Sequence, residues 1–492
     1  MAPCGLLAPQ RRQLFGFRLP HAVAMSAYVM DTIAAISTPL GEGALGIVRL
    51  SGPDAIRVAG ELFHPSSGSH LSQLAARTLH LGRIVEPSTG DVVDTCTALV
   101  YRAPRSYTGE DMVELTCHGG AVLLRRVLSL LVAQGARLAE PGEFTKRAFL
   151  NGKMDLSQAE AVIDAIRAQT PEALKVAAAQ LAGRLSETLR PIRSVLLEML
   201  AAIEASIDFP DDVDEPSREW LASQIADAMA QIDEMLATAD VGRVYREGVA
   251  VVLVGRPNVG KSSLLNALLR DVRAIVTAVP GTTRDVIEEA MNLKGLPIRL
   301  LDTAGLRPAM DPVEVIGVER TRASLRDADL VVMVMDRSDP LSPADKAVWR
   351  EANKPHVVVA ANKSDLTHAW SLQELRDYLH LPSTVRVVET CAKTQQGVPE
   401  LEDAMFATIL GDGGRAVSAG HMPMLSNVRH RTALEAAKSS LKEALNTLEE
   451  GMPFDLLAID LRAAAEALSR VTGESVSAEV VDAIFSRFCV GK

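Results

Sequence analysis

The chain has 492 residues, of which 48% are hydrophobic and 23% charged, with a formal net charge of −11. This length and composition predict a globular protein of about two to four domains. The acidic balance argues against broad, non-specific binding of nucleic acid, and no apolar run is long enough to span a bilayer. The 5 cysteines are scattered without a C-x-x-C pair, which argues against a disulfide framework or a zinc site and fits a reducing compartment.

Residues 1–30 form an acid-free leader that carries Arg11, Arg12 and Arg18. Such a leader can be an organelle transit peptide, but a start codon assigned too early, with translation beginning at Met25 or Met30, is the favoured interpretation. In both cases we expect the leader to be disordered and outside the fold. The expected location is cytoplasmic, or organellar if the leader is a transit peptide.

From Asp31 to residue 145 the pattern mixes β-rich runs, such as Gly46–Leu50, Thr97–Tyr101 and Met112–Leu115, with the helical stretch Ala121–Gln134. This mixture predicts an α+β domain. Residues 146–245 are rich in alanine, leucine and isoleucine with regular charges, which predicts long helices. We expect breaks in those helices at Pro171, Pro191 and Pro210.

Residues 246–410 alternate apolar strand-like runs with helical stretches, which predicts a mostly parallel sheet covered on both faces. The runs are Val249–Val254, Ile298–Leu301, Leu330–Met335 and His356–Ala360. After the Gly411–Gly414 linker, residues 411–492 are helical again. We therefore predict a multidomain α/β protein in which this α/β domain is inserted into a discontinuous helical domain.

A phosphate-binding loop, Gly255-Arg256-Pro257-Asn258-Val259-Gly260-Lys261-Ser262, follows the first of these strands and precedes a helix expected to begin near Ser263. Its glycines let backbone N–H groups converge on phosphate oxygens at a helix N-terminus. Lys261 is expected to reach the β- and γ-phosphates and Ser262 to bind Mg²⁺. A glycine-rich turn with a surface lysine is the alternative, and the strand and helix around the loop disfavour it.

Two further segments complete the phosphate side of a GTP site. Asp302-Thr303-Ala304-Gly305 follows the next strand and is placed to approach Mg²⁺ and the γ-phosphate. Within Gly281-Thr282-Thr283-Arg284-Asp285, Thr283 is the candidate to complete the Mg²⁺ shell only when a γ-phosphate is present. Leu306 occupies the position where small GTPases often carry a water-orienting glutamine, so catalysis must come from another residue or be slow.

The segment Asn362-Lys363-Ser364-Asp365 is predicted to recognise guanine. The Asp365 carboxylate can accept hydrogen bonds from two guanine donors that adenine lacks. Cys391-Ala392-Lys393 is similar to the loop that supports guanine, with cysteine in place of the usual serine. The residues expected to bind GTP are Asn258, Val259, Gly260, Lys261, Ser262, Ser263, Thr277, Ala278, Val279, Pro280, Gly281, Thr282, Thr283, Asp302, Thr303, Ala304, Gly305, Asn362, Lys363, Asp365, Cys391, Ala392 and Lys393.

With these motifs the chain resembles the MnmE/TrmE family of tRNA-modification GTPases from about Asp31 to Lys492. The resemblance also rests on Tyr107-Thr108-Gly109-Glu110-Asp111, on the segment Pro141–Lys153, and on the ending Phe488-Cys489-Val490-Gly491-Lys492. It implies a Ras-like G domain, an N-terminal tetrahydrofolate-binding domain that also forms a homodimer, and an FAD-containing partner subunit of the MnmG type in a heterotetramer.

The resemblance implies that the two proteins together add a carboxymethylaminomethyl group at C5 of the wobble uridine of tRNA. The carbon would come from 5-formyl- or methylene-tetrahydrofolate, and FAD would be held by the partner. The folate-binding positions would be Arg49, Glu114, Lys153 and Lys492, with Cys489 nearby. Judged from the residues alone, Arg49 and Glu114 would be ordinary charges on strand faces, and Cys489 a small buried side chain.

The resemblance also implies a K⁺ ion that stimulates GTP hydrolysis, held by Asn258, Thr277, Val279 and Thr282. Glu314 would orient the attacking water, so that the catalytic residues would be Glu314, Lys261 and Thr283. Judged from the residues alone, Asn258 would be a turn residue and Glu314 a solvated charge. The two G domains of a dimer would meet when GTP binds.

Two other functions compete with this one. A regulatory GTPase in ribosome assembly would need a basic RNA-binding appendage such as a KH domain, and none is visible in the sequence. A helical scaffold with an inactive G domain is disfavoured because all the nucleotide motifs are intact.

Overall fold

The computed structural model describes residues 31–271, 289–301, 325–352, 354–411 and 424–492. The chain divides into two compact units. One runs to Ala159 and also includes Ser469–Lys492, and the other is Glu160–Leu468. The predicted leader, residues 1–30, lies outside the described residues. The domain boundaries drawn from the sequence stay a prediction.

The first unit contains a seven-stranded sheet with the order β3-β4-β5-β6-β2-β1-β7. Its neighbours are antiparallel except for β1 and β7. The strands are β1 Ile33–Ile36, β2 Gly43–Ser51, β3 Phe63–Pro65, β4 Leu79–Val85, β5 Val92–Tyr101, β6 Met112–Gly119 and β7 Arg137–Leu138. Alternate residues such as Val48, Leu50 and Leu115 are buried in its core, as the period of a half-covered sheet requires.

The α-helices of the described residues are numbered in chain order. They are α1 Ala55–Gly60, α2 Ala121–Ala133, α3 Glu143–Leu150, α4 Leu156–Arg167, α5 Pro171–Leu181, α6 Arg184–Asp208, α7 Arg218–Leu236, α8 Ala239–Glu247, α9 Lys261–Asp271, α10 Pro343–Ala352, α11 Leu372–Leu379, α12 Val398–Leu410, α13 Val428–Glu449, α14 Phe454–Thr472 and α15 Ala478–Phe485. A short 3₁₀ helix covers Leu71–Gln73. None of the described helices combines the length and apolar character that a membrane crossing needs.

In the second unit, α6, α7, α13 and α14 form an up-and-down bundle. Helix α13 packs antiparallel along α7, with Lys438 paired to Asp233 near one end and Arg218 donating to the Leu448 carbonyl near the other. Glu204 of α6 pairs with Arg462 of α14. Because α7 precedes the α/β part of the chain and α13 follows it, the discontinuous helical arrangement is confirmed.

One predicted helix break is wrong. Pro191 lies inside α6 and does not end it, although Pro171 does open α5, with Thr170 as its N-cap. Pro210 follows the end of α6, as expected. Buried side chains on both sides of Pro191, such as Leu189 and Ile192, hold the helix against its neighbours. That packing outweighs the hydrogen bond that a proline removes.

The second sheet has six strands in the order β13-β12-β11-β8-β10-β9. The strands are β8 Val249–Val254, β9 Glu289–Leu293, β10 Leu296–Leu300, β11 Leu330–Asp336, β12 Val357–Asn362 and β13 Arg386–Glu389. All neighbouring pairs are parallel except β9 with β10. Strands β11 and β12 are buried along their whole length, which agrees with helices on both faces. The predicted multidomain α/β class with a mostly parallel sheet is therefore confirmed.

Candidate functional site

The loop between β8 and α9 contains two glycines that no other residue could replace without distortion. Gly255 has φ +154°, and a Cβ there would overlap the Val334 carbonyl. Gly260 has φ +96°, and a Cβ there would overlap the side-chain amide of Asn362. The backbone therefore turns tightly between strand and helix, so that the first N–H groups of α9 face the loop. Helix α9 begins at Lys261, two residues earlier than predicted.

Lys261 is directed into this loop. Its Nζ donates hydrogen bonds of 2.8 Å to the carbonyls of both Gly255 and Arg256. Burial lowers the pKa of Lys261, because a charged amine loses hydration there. An ammonium group in a dehydrated loop at a helix N-terminus is a strong attractor for phosphate oxygens.

The outer side of the loop is held by charge. Arg256 forms ion pairs with Asp345 at 2.8 Å and with Asp339 at 3.0 Å. Asn258 is exposed and has φ +63°, in the left-handed region that asparagine tolerates better than most residues. The Ser262 side chain lies in the first turn of α9.

The segment Asn362–Asp365, predicted to recognise the base, is connected to the predicted phosphate loop through Asn362 at the end of β12. The buried Asn362 amide donates to the Val259 carbonyl at 2.9 Å, and its oxygen accepts from the Ala392 N–H at 3.2 Å. One side chain thus joins the phosphate loop, the Asn362–Asp365 segment and the loop after β13. The structure brings together three of the predicted motifs in this way.

Lys363 and Asp365 follow Asn362 out of the sheet. Lys363 has φ +61°, and its Nζ binds Asp336 at 2.5 Å. Asp336 is not among the residues predicted from the sequence, although its position at the end of β11 was available as a signal. Asp365 is exposed, two residues beyond Lys363, where its carboxylate can meet the edge of a base.

The loop after β13 is stabilised by a hydrogen bond between its own backbone groups. Its buried Cys391 donates its N–H to the Gln396 carbonyl at 2.8 Å, and Gly397 turns with φ +76° where a Cβ would overlap the Glu389 carbonyl. The cysteine therefore stands in place of serine without breaking the turn. The predicted site residues that lie outside the described residues are Thr277, Ala278, Val279, Pro280, Gly281, Thr282, Thr283, Asp302, Thr303, Ala304, Gly305 and Glu314.

In the first unit, Arg49 and Glu114 form an ion pair across strands β2 and β6. Arg49 contacts the Glu114 carboxylate at 2.7 Å, and the Arg49 guanidinium lies 5.6 Å from the ring centres of Tyr107 and Phe144. The Tyr101 hydroxyl approaches the other Glu114 oxygen at 3.4 Å. The sequence predicts no role for the rings of Tyr107 and Phe144, although both residues lie in the motifs that carry the family resemblance.

The last residues of the chain dock beside this pair. Gly491 has φ +91°, and its carbonyl accepts hydrogen bonds from Ser37 at 3.0 Å and Arg49 at 3.4 Å. Lys492 is thereby brought next to Arg49 and Glu114. The pKa of Lys492 is lowered, first by burial and then by repulsion from Arg49, while Glu114 opposes the shift.

The family resemblance also assigns Lys153 and Cys489 to this site, and the two residues lie in different places. Lys153 is exposed, donates to the Pro104 carbonyl at 3.0 Å and packs beside Gly109. Cys489 is an exposed free thiol rather than a buried small side chain, and like Glu114 it only partly offsets the lowering of the Lys492 pKa. The structure therefore groups Arg49, Glu114, Lys492 and Cys489, and positions Lys153 at the Tyr107–Asp111 loop.

Comparisons with known proteins bear on both sites. The family model for the MnmE helical domain matches residues 156–489, and the model for the GTP-binding protein TrmE N-terminus matches residues 32–153. The chain belongs to the MnmE family of tRNA-modification GTPases. The GTPase predicted from the phosphate loop is confirmed by this membership.

Individual relatives are similar along almost their whole length. The tRNA modification GTPase MnmE of Geobacillus thermodenitrificans (strain NG80-2) is 48% identical over 464 residues, covering 94% of this chain and 99% of the relative. That of Bacillus subtilis (strain 168) is 46% identical over 465 residues, covering 94% and 100%. Among solved structures, the G domain of the T. maritima FeoB iron transporter is 28% identical and covers 32% of this chain and 98% of its own, with a TM-score of 0.24.

Proposed function

We propose that the chain is a K⁺-stimulated GTPase that works with an FAD-containing partner subunit to modify C5 of the wobble uridine of tRNA. The observation that carries the GTP-dependent part is the Asn362 side chain, which joins the base-recognition segment to the phosphate loop through Val259. Family membership favours tRNA modification over the alternative of a regulatory GTPase in ribosome assembly.

The nucleotide would lie across the carboxyl ends of the parallel strands. Lys261 and the N–H groups at the start of α9 would bind the β- and γ-phosphates, and Asp365 the guanine. Ser262 and Thr283 would hold Mg²⁺. Mg²⁺ is a hard cation that prefers oxygen ligands, and the hydroxyl of Ser262 in the first turn of α9 is such a ligand.

A potassium ion would be held by Asn258, Thr277, Val279 and Thr282. The position of Asn258 supports this proposal, because its side chain is exposed on the phosphate loop and carries an amide oxygen that can coordinate a cation. When bound, the ion would neutralise charge that develops between the β- and γ-phosphates. Glu314 would orient water in place of the glutamine that Leu306 replaces, and two G domains of a homodimer would meet during hydrolysis.

A tetrahydrofolate derivative would bind at Arg49, Glu114 and Lys492, with Lys153 at the edge. The chemistry of these side chains fits. Glu114 is a carboxylate held in place by Arg49 and can accept hydrogen bonds from ring N–H groups. Arg49 and Lys492 repel each other, and the carboxylates of a folate tail would relieve that repulsion.

Nucleoside mass spectrometry of tRNA from cells that lack the gene tests this function. We expect loss of the C5 modification at wobble uridines, restored by the wild-type chain but not by Lys261→Ala. Lys442→Ala, an exposed lysine on α13, is the matched control and should restore the modification. If the deletion strain contained as much of the modification as the wild type, the tRNA function would be rejected. The assignment as a GTPase would not be affected.

A further inference from the structure

The helical bundle has one end that is remote from the α/β part of the second unit. Helix α7 leads through α8 into β8, and α13 follows the α/β part, so both junctions lie at the same end of the bundle. The opposite end, which we call the distal end, consists of residues 207–220 and 449–459. Arg218 joins its two segments by donating to the carbonyls of Leu448 and Met452 and by lying 4.9 Å from the ring centre of Phe454.

The distal end exposes large apolar side chains. Phe209 is 60% exposed and Ile459 61%, and they are accompanied by Ile207, Trp220, Met452 and Leu456. Ile207 and Ile459 each lie one helical turn beyond the Glu204–Arg462 ion pair, toward the distal end, so α6 and α14 present them side by side. Grouped exposed apolar side chains on a soluble protein mark an interaction surface.

The charged residues around these side chains are mostly acidic. Residues 207–220 contain 6 acidic residues and 1 arginine, and residues 449–459 contain 3 acidic residues and no base. The distal end thus has a net charge of −8, against −11 for the whole chain. The arginine is already engaged with carbonyls and with Phe454. An acidic rim of this kind repels the phosphates of RNA and equally repels a second copy of the same surface.

We propose that the distal end is the docking surface for a partner protein whose contact area is apolar at its centre and ringed by lysine and arginine. The FAD-containing subunit would supply that area, and this assignment rests on the proposed function. Apolar side chains at the centre would provide most of the binding energy, and the acidic rim would steer the partner and set its orientation.

Binding of the purified FAD-containing subunit to the full-length chain tests this assignment by calorimetry. Asp211→Lys/Asp212→Lys should weaken binding about tenfold or more and reduce the loss of affinity when salt is raised. The control Asp227→Lys/Glu234→Lys makes the same change of charge at exposed positions on α7, away from the distal end, and should bind within about twofold of wild type.

The apolar contribution is tested separately with Phe209→Ser/Ile459→Ser, against Leu197→Ser, which is 42% exposed on the side of α6. We expect about tenfold weaker binding for the first variant and no change for the second. Binding that is unchanged in all distal variants, with their helical content intact, overturns the docking surface while the proposed function stands. No binding by the wild-type chain overturns both the assignment and the proposed partner.

Discussion

The Asn362 side-chain amide donates a 2.9 Å hydrogen bond to the Val259 carbonyl, across 103 residues of sequence. A Cβ atom at position 260 would overlap the same amide group. The segment proposed to recognise the base and the loop proposed to bind phosphate are therefore joined directly, and we expect a substitution in one to affect the other.

Asn362→Ala should weaken binding of GDP and lower stability together. The substitution leaves the buried Val259 carbonyl and the Ala392 N–H without partners, which costs about 1–3 kcal/mol of unfolding free energy for each such group. Calorimetry and denaturant unfolding measure the two effects. Asn362→Asp keeps the acceptor for Ala392 but places a buried carboxylate oxygen against the Val259 carbonyl, so it should lower stability at least as much as alanine does. Unchanged GDP affinity in Asn362→Ala would contradict the joined site.

Asp365→Asn should shift nucleotide preference from GTP toward xanthosine triphosphate. In the proposed site the exposed carboxylate would pair with two guanine donors, and an amide would instead match the carbonyl oxygen that xanthine carries. Competition binding with GTP, XTP and ATP measures the preference. Asp377→Asn, at another exposed aspartate of the same sheet domain, is the control. Full GTP affinity in Asp365→Asn would show that the carboxylate does not bind the guanine base.

GTP hydrolysis should rise when Na⁺ is replaced by K⁺ at constant ionic strength. Asn258→Ala should abolish that difference, because it removes the proposed side-chain ligand of the ion, and GTP affinity measured alongside separates this loss from the strain that alanine brings at φ +63°. Steady-state phosphate release in the two salts measures the effect. Equal rates for the wild-type chain in K⁺ and Na⁺ would remove the potassium assignment.

Gly491→Ala should weaken binding of 5-formyl-tetrahydrofolate about tenfold or more. A Cβ at this positive-φ position overlaps the Ile36 carbonyl, so the tail must move and carry Lys492 away from Arg49. Gly135→Ala is the matched control, since Gly135 has φ +105° and open space around it. Both variants carry similar backbone strain, and only the first displaces the tail. Equal folate affinity in the two variants would disprove the role of the docked tail.

Stability of the second unit should fall as pH decreases from about 7.5 to about 5.5. His430 is buried beside Glu160, Arg429, Asp164 and Arg246, and burial lowers its pKa, which disfavours protonation of this histidine in the folded state. The unfolded chain binds a proton at this histidine below about pH 6.5, which favours unfolding in acid. Glu160, whose pKa is lowered to about 2 by His430 and Arg429 against the opposing effect of burial, stays ionised across this range.

His430→Gln provides the comparison for the pH effect, because glutamine can donate to Glu160 without titrating. Denaturant unfolding at several pH values should give a shallower dependence for this variant than for wild type. A parallel dependence in both proteins would show that other groups control the acid sensitivity.

Several features follow from the sequence because their signals are local. The spacing of Gly255, Gly260 and Lys261 predicts a strand, a phosphate loop and a helix within a short segment, and strand β8 has the bounds that its apolar run predicts. The helix break predicted at Pro191 is wrong because non-local packing, which the sequence signal does not contain, decides the structure there. A local signal against helix is outweighed by apolar packing that residues far along the chain supply.

The sequence by itself therefore determined the kind of nucleotide, the class of fold and the position of each motif. Only the tertiary structure decided which motifs touch. Asn362 meets Val259, and Arg49 meets the Gly491 carbonyl 442 residues away. Such contacts depend on sheet order, on loop closure and on the positive φ of a few glycines, and these properties arise from the whole packed chain. The same is true of the distal end, where bundle packing sets the exposed apolar side chains of α6 beside those of α14.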